Sequence, residues 1–152
     1  MDKATPNKYI SPCLCFNLRR AARTATSVYD AYFRPLGLKG TQYSLMAAVK
    51  RLNQPCVGQL SRELSLEQST ATRNIELLIK KNFLKAQADP ADSRRKVLAL
   101  TPKGDKKLNE ALPVWEEAQK GMIESLGENE CRRLMQMLNR LARRLEENSE
   151  GD

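Results

Sequence analysis

The stretch VGQLSRELSLEQSTATRNIELLIKKNFLKAQADPADSRRKVLAL, residues 57–100, decides the fold of this chain. Its first half predicts two helices, a short one at 57–64 and a longer one at 68–81, separated by a tight turn. The longer helix has an apolar face with helical spacing, formed by Ala71, Ile75, Leu78 and Ile79. Its opposite face is polar and basic. This arrangement indicates a helix-turn-helix, whose second helix enters the major groove of DNA.

The second half of the stretch predicts a β-hairpin, with strands at 83–88 and 94–100 and a turn composition at 89–93. Asn82 precedes the hairpin and tolerates the left-handed conformation of a helix C-terminal cap. Thr101 and Pro102 follow it and suit the N-cap and first position of another helix. The sequence therefore predicts a winged helix-turn-helix over residues 41–101, with its recognition helix at 68–81 and its wing at 83–100.

The polar face of the predicted recognition helix supplies candidates for contacts with base edges. They are Gln68, Ser69, Thr70, Thr72 and Arg73. Arg73 suits a bidentate contact with guanine, which discriminates against other bases by about 1–3 kcal/mol. Ser69 also suits a helix N-cap, and the sequence leaves both interpretations open. On the wing, Arg94 and Arg95 suit a narrow minor groove, and Lys96 is a candidate phosphate contact.

Three motifs stand out in and just after this stretch. They are Leu60-x3-Leu64-x-Leu66-x2-Ser69-Thr70-x-Thr72-Arg73, then Asp89-Pro90-x-Asp92-x-Arg94, then Leu98-x-Leu100-Thr101-x2-Gly104. Together they resemble the MarR family of bacterial transcription regulators. The resemblance implies that Arg94 enters a minor groove and that Asp92 orients a wing guanidinium. Two positions depart from the family pattern: Asn82 replaces the usual glycine, and Ala86 stands where an arginine is common.

Amphipathic helices are predicted on both sides of the winged segment, at 13–36 and over 102–147, and a shorter one at 41–52 with Thr41 as its N-cap. The helix after the wing is expected to turn Leu108, Leu112, Trp115, Met122 and Leu126 inward. The last helix has an apolar heptad repeat at Cys131, Leu134, Leu138, Leu141 and Leu145. Such a repeat marks a helix-helix seam, between chains or inside one core. We predict a homodimer, since these helices are more apolar than a winged domain needs, as in the family that the sequence resembles.

The predicted fold is one domain over residues 1–152, mainly α with a small β wing: a winged helix-turn-helix DNA-binding domain flanked by N- and C-terminal dimerisation helices. The formal net charge is +8, and residues 73–107 carry ten Lys or Arg against four Asp or Glu, a net +6. Such a concentration of positive charge on a winged motif is typical of proteins that bind the phosphate backbone of nucleic acids. We therefore expect double-stranded DNA as the partner. The predicted homodimer implies a pseudo-palindromic operator, and the family resemblance implies a repressor. A non-specific architectural DNA-binding protein is the alternative.

The sequence does not favour an enzyme. It contains no histidine, which removes the commonest general base, and it has no Gly-rich phosphate loop or zinc-type cysteine spacing. No cofactor is expected. Apolar runs do not approach the roughly 20 residues of a membrane span, and residues 1–8 lack the apolar core of a signal peptide. We expect a cytoplasmic protein with four free thiols.

Two kinds of switch are candidates for regulation. The piece Leu14-Cys15-Phe16-x-Leu18, followed by Tyr29, resembles the organic hydroperoxide resistance regulators of the same family, which implies that Cys15 is oxidised and that Tyr29 hydrogen-bonds it. Arg19 and Gly40 replace the other tyrosines of that subgroup, and Cys15 also suits a small buried position. The other switch, implied by the family, is a small aromatic or phenolic effector bound between the dimerisation helices and the winged domain. Its candidate lining is Tyr29, Tyr32, Tyr43, Arg19 and Arg23.

Overall fold

A computed structural model describes residues 12–149 of the chain, so the polar segment 1–8 lies outside the described part. The described residues form six α-helices, one turn of 3₁₀ helix and one two-stranded antiparallel sheet. In chain order they are α1 (Leu14–Phe33), the 3₁₀ turn (Arg34–Leu36), α2 (Gly40–Leu52), α3 (Val57–Glu63), α4 (Gln68–Lys80), β1 (Leu84–Ala88), β2 (Lys96–Leu100), α5 (Pro102–Leu126) and α6 (Glu128–Ser149). The fold is mainly α with a small β wing, as the sequence predicts. Within residues 12–149, no helix is long and apolar enough to span a membrane.

The chain divides into two compact units, and the boundary between Trp115 and Glu116 falls inside α5. The first unit contains the helix-turn-helix, the hairpin and a continuous apolar core. The core includes the fully buried side chains of Phe33, Leu45, Met46, Leu60, Leu78 and Leu84. They come from α1, α2, α3, α4 and β1, and the buried Leu98 of β2 belongs to the same core, so every element of the winged segment contributes to it.

The end of α4 confirms the capping role predicted for Asn82. Its φ is 60°, and its backbone N–H donates to the carbonyl of Ile79 at 2.8 Å. The N–H of Phe83 donates to the carbonyl of Leu78 at 2.9 Å, which completes a Schellman motif. Asparagine thus replaces glycine here at little steric cost, because it tolerates the left-handed region better than most residues.

The wing is a hairpin whose register pairs Leu84 with Leu100 and Ala88 with Lys96. Its return into α5 depends on Thr101, whose hydroxyl donates to the carbonyl of Asn82 at 2.6 Å and accepts from the N–H of Gly104 at 2.9 Å. Thr101 is therefore the N-cap residue of α5, which confirms the prediction. A Cβ at Gly104 would lie 1.9 Å from the carbonyl oxygen of Phe83, so only glycine fits there.

Three predictions about local structure are wrong. The helix α2 begins at Gly40 with Lys39, not Thr41, at its N-cap, because the Gln42 side chain accepts from the Lys39 N–H at 3.1 Å. The second wing strand begins at Lys96 instead of residue 94, since a hydrogen bond of 2.8 Å from Asp89 N–H to the Arg95 carbonyl keeps Arg95 in the turn. Ile79 is 38% exposed, because the face that α4 buries is narrower than its apolar spacing suggests.

Several apolar side chains of the long helices are exposed in the single chain. In the first unit they include Leu14, Val28 and Tyr32 of α1. Leu112 of α5, which the sequence predicted to point inward, is also exposed. In the second unit they include Leu126, also predicted inward, and Leu134, Leu138 and Leu145 of the heptad repeat in α6. Exposed apolar stripes of this kind usually mark an interaction surface.

Candidate nucleic-acid interface

The start of α4 presents the polar side chains predicted to contact bases. The preceding turn is fixed by a hydrogen bond of 2.9 Å from Leu66 N–H to the Ser61 carbonyl, and Leu60 and Ala71 are fully buried beneath it. Above this packed base, Gln68, Ser69, Thr72 and Arg73 are exposed and Thr70 is half-buried. All five lie within the first two turns of the helix. The structure thus brings these predicted side chains together on one surface.

Ser69 does not cap α4. The N-cap residue is Glu67, and Ser69 lies inside the first helical turn with its side chain exposed. The capping interpretation is therefore wrong, because the helix begins before Ser69.

The hydroxyl of Thr72 has a defined hydrogen-bonding direction. It donates to the carbonyl of Gln68 at 2.8 Å, one turn earlier in the same helix. The hydroxyl proton is therefore engaged in this bond, while the oxygen can still accept a hydrogen bond. Such a hydroxyl accepts from amino groups of adenine or cytosine at the major-groove edge.

Arg73 lies one position further on α4 and is exposed. Within the described residues 12–149, no carboxylate lies within 4.0 Å of its guanidinium. A guanidinium that no acid neutralises keeps its full charge and its five donors for an external acceptor. This is the state that a contact with guanine or phosphate requires.

The wing tip positions Arg94 through Asp92. The Asp92 carboxylate accepts from the Arg94 backbone N–H at 3.1 Å and from Arg94 Nε at 3.3 Å. The Arg94 side chain is nevertheless 90% exposed, so the carboxylate orients the guanidinium without covering it. The arrangement agrees with the orienting role that the family resemblance implies for Asp92. Lys96, the first residue of β2, is also exposed.

Arg95 lies close enough to Cys56, the N-cap residue of α3, to affect the pKa of its thiol, which the sequence did not predict. The pKa of the Cys56 thiol is lowered, mainly by the hydrogen bond from the Gln59 backbone N–H and further by Arg95, against the opposing effect of partial burial. The sequence gave no indication of this environment, because Cys56 appears there only as a cysteine at a helix start. Arg95 lies 39 positions further along the chain.

A cavity of about 490 Å³ lies in the first unit, behind the helix-turn-helix. Its lining is aromatic, apolar and hydroxyl-bearing, and comprises Ala22, Ala25, Thr26, Tyr29, Phe33, Gly40, Thr41, Tyr43, Ser44, Leu64, Leu66 and Trp115. Tyr43 lies between Phe33 and Trp115, with ring centroids 4.9 Å and 6.3 Å away. Burial raises the pKa of Tyr29. Of the predicted lining, Tyr29 and Tyr43 are present, while Tyr32, Arg19 and Arg23 lie elsewhere.

Cys15 is exposed, so the interpretation of a small buried side chain is wrong. It lies with Cys13, Arg19 and Arg23 around a surface cavity of about 250 Å³ at the start of α1. Tyr29 lies 14 positions further along the same helix, about 21 Å at 1.5 Å per residue. A hydrogen bond between Cys15 and Tyr29 of one chain is therefore excluded.

Comparison with known proteins identifies the fold. A sequence model of the MarR family matches residues 36–95. The M. tuberculosis transcriptional regulator MosR, solved in complex with DNA, is 32% identical and superposes with a TM-score of 0.78, over 88% of this chain and 96% of MosR. The chain belongs to the MarR family.

Two other proteins are more distant from this MarR-family protein in sequence. SarZ, an HTH-type transcriptional regulator of Staphylococcus epidermidis, is 26% identical over 64% of this chain. The alignment spans 66% of SarZ, just under two-thirds of its length. Bordetella bronchiseptica BpsR, whose DNA binding is regulated by 6-hydroxynicotinic acid, shares the fold with a TM-score of 0.78 at 22% identity, over 87% of this chain and 94% of BpsR.

Membership in the family confirms the general function predicted from the winged motif. The protein is a DNA-binding transcriptional regulator and not an enzyme.

Proposed function

We propose that this MarR-family regulator is a repressor that binds a pseudo-palindromic operator as a homodimer and is released by a small aromatic or phenolic compound. One observation carries the proposal. The exposed start of α4 bears Thr72 and an unpaired Arg73, while the wing bears Arg94 held outward by Asp92. A polar helix face suits the major groove, and an arginine at a wing tip suits the minor groove.

Selection of bound DNA from a random pool tests this function. Two symmetric recognition helices predict a consensus with two-fold symmetry and half-sites about 10–10.5 bp apart. A regulator should prefer that consensus over random DNA by roughly 10³-fold or more. An architectural protein would instead yield no consensus and a steep salt dependence. Repeating the selection with Arg73→Ala should relax the preference at one position of each half-site, while loss at all positions would contradict base readout by Arg73.

Exposed apolar side chains support the homodimer. The heptad positions Leu134, Leu138 and Leu145 are exposed on α6, and Leu14, Val28 and Tyr32 are exposed on α1. A soluble chain rarely leaves such stripes uncovered, and the repeat in α6 suits pairing with another helix. Analytical ultracentrifugation at micromolar concentration should therefore give twice the 17.2 kDa mass of the chain. A monomer would contradict the proposed assembly.

The cavity beside Tyr43 and Trp115 supports an aromatic effector. Stacked rings favour a planar ligand, and the hydroxyls of Thr26 and Ser44 offer hydrogen bonds to a phenol. Among its described lining residues there is no lysine or arginine, so a neutral phenol fits better than a carboxylate, whose charge would lose its hydration. Leu64 and Leu66 belong to the turn before α4, so an occupant would touch the base of the recognition helix. BpsR, which 6-hydroxynicotinic acid regulates, is a precedent for a heteroaromatic effector on this fold.

Trp115 is the only tryptophan of the sequence and lines this cavity, which makes it a reporter. A phenol that occupies the cavity should quench the fluorescence of Trp115 and weaken operator binding over the same concentration range. Ser44→Leu fills the cavity and should abolish both effects. Operator release that persists in Ser44→Leu would place the effector elsewhere.

A thiol switch at Cys15 is the second candidate, favoured by the exposure of Cys15 beside Arg19 and Arg23. Organic hydroperoxides oxidise solvent-accessible cysteines to a sulfenic acid. Operator binding should then be lost on titration with an organic hydroperoxide in the wild type and kept in Cys15→Ser. Equal responses of the two proteins would exclude Cys15 as the sensor.

A further inference from the structure

The C-terminal end of the recognition helix α4 is held by the residues that start α5. A helix leaves its last carbonyl groups without partners inside the helix, so groups from elsewhere must supply hydrogen bonds. The Thr101 hydroxyl donates to the Asn82 carbonyl at 2.6 Å, and the Thr101 N–H donates to the Phe83 carbonyl at 3.1 Å. The ammonium of Lys103 donates to the carbonyl of Lys81, the C-cap residue of α4, at 3.2 Å. Three consecutive carbonyls are thus bound by α5, and only Lys103 binds one with a charge.

The surroundings of the Lys103 ammonium favour a cation. It lies 5.3 Å from the centroid of the Phe83 ring, within range of a cation–π interaction. The C-terminal end of a helix carries a partial negative charge, which attracts an ammonium group. Within residues 12–149 no carboxylate lies within 4.0 Å of Lys103, and the acid nearest to it in sequence, Asp105, pairs with Lys50 at 2.6 Å. The ammonium is therefore directed at the end of α4 and not at an acid.

The same end of α4 is held from a second side. The Lys81 ammonium donates to the carbonyl of Gly37, in the turn between α1 and α2, at 3.2 Å. Helix α4 is 13 residues long, about 20 Å at 1.5 Å per residue, so a tilt of about 3° about this end would move its first residues by about 1 Å. A displacement of that size lengthens a hydrogen bond with a base edge beyond its normal range. The direction of α4 therefore depends on what holds its last residues.

We propose that Lys103 is a positioning residue for base readout, whose ammonium fixes the C-terminal end of α4 and so sets the direction in which α4 enters the major groove. The base-readout part of this inference rests on the proposed function, which assigns base contacts to the start of α4, whereas the hydrogen bond to Lys81 does not. A direct contact between Lys103 and a DNA phosphate is the competing explanation for any effect of Lys103 on binding. The two roles predict different effects on specificity.

Affinities for operator and for random DNA separate these two roles. Lys103→Met keeps the aliphatic stem and removes the ammonium. It should weaken binding to the selected operator about fivefold, the effect of losing about one base contact, and binding to random duplex by less than about twofold. The slope of log affinity against log salt should stay unchanged, since no phosphate contact is lost. Lys103→Arg restores a cation that donates to helix carbonyls and should recover most of the lost affinity.

Lys106→Met is the matched control for the loss of one charge. Lys106 is also an exposed lysine near the start of α5, and it belongs to none of the ion pairs within residues 12–149. Its loss should leave the ratio of operator affinity to random-DNA affinity unchanged. Equal losses on both DNAs in Lys103→Met, with a salt slope lower by about one, would show a phosphate contact and overturn the proposal. Unchanged affinity for both DNAs would overturn it as well.

Amide hydrogen exchange tests the contact without DNA. The N–H groups of Asn82 and Phe83 close the last turn of α4. Their exchange, measured by NMR, should become about two- to threefold faster in Lys103→Met, as the loss of one exposed hydrogen bond requires, and stay unchanged in Lys106→Met. Wild-type rates in Lys103→Met would overturn the role of Lys103 at this end of α4. If no operator is found at all, the proposed function and the base-readout role fail together, while the exchange rates still decide whether Lys103 holds the end of α4.

Discussion

At the scale of single residues, the wing illustrates how an acid assists binding to a polyanion. Asp92 reduces the local positive charge, yet it holds Arg94 Nε at 3.3 Å and leaves 90% of the Arg94 side chain exposed. An exposed ion pair contributes little to stability, so its value lies in restricting the rotamers of the arginine before DNA arrives. Pre-ordering of this kind reduces the entropy lost on binding.

We predict that Arg94→Ala weakens operator binding at least tenfold at moderate salt, because it removes a charge inserted into the minor groove. The slope of log affinity against log salt should also fall by about one. Fluorescence anisotropy at several salt concentrations measures both quantities. The exposed Lys120→Ala on α5 is the control, and thermal unfolding of both variants should match the wild type. Wild-type affinity in Arg94→Ala would remove Arg94 from the interface.

For single residues, the sequence predicts neighbours along one helix but not neighbours from different elements. It grouped Gln68, Thr72 and Arg73 on one surface, because helical spacing alone determines that grouping. It did not find that Arg95 lies near enough to Cys56 to affect its pKa, because this proximity depends on how the hairpin packs against α3. The capping interpretation of Ser69 could not be excluded from the sequence for a related reason: Glu67, the N-cap residue of α4, makes no side-chain capping bond, so its identity gave no signal.

At the scale of elements, the junction of the wing with α5 explains the motif Leu98-x-Leu100-Thr101-x2-Gly104. Leu98 is buried in the core, Thr101 caps α5, and Gly104 allows the first turn of α5 to touch the backbone at Phe83. Each residue type was recognisable from the sequence as a strand, cap or glycine signal. The reason for the glycine required the structure, since the close approach joins residues 21 positions apart.

We predict that Gly104→Ala destabilises the protein by about 1–3 kcal/mol or more, the usual range for overpacking. The added Cβ would lie 1.9 Å from a backbone oxygen, which cannot rotate away as a side chain does. Urea unfolding measures the change. Gly58→Ala is the matched control, because its Cβ would meet only ordinary contacts at 3.9 Å, and its stability should stay within about 1 kcal/mol of the wild type. Equal stability of the two variants would contradict this account of the junction.

At the scale of the whole molecule, the long helices carry more apolar side chains than a single chain buries. Periodicity correctly predicted every long helix, but it cannot distinguish a face that packs inside the chain from one that packs against a partner. Leu112 and Leu126 were predicted inward and are 45% and 50% exposed, and three heptad positions of α6 are exposed as well. The missing information is the partner surface, which a single sequence does not contain.

The assembly can be tested by a charge placed in the exposed stripe. Leu138→Glu should shift the protein towards monomer, because a carboxylate buried in a helix seam loses its hydration without gaining a partner. Operator affinity should fall with it, since a monomer engages one half-site and loses the gain from linking two. Gln136→Glu introduces the same charge about 160° away around α6, at 100° per residue, and should leave both mass and affinity unchanged. Ultracentrifugation and anisotropy on the same samples connect the two effects. If Leu138→Glu stays dimeric and binds DNA normally, the α6 stripe is not the dimer interface. The exposed apolar side chains of α1 would then be the next candidate for that interface.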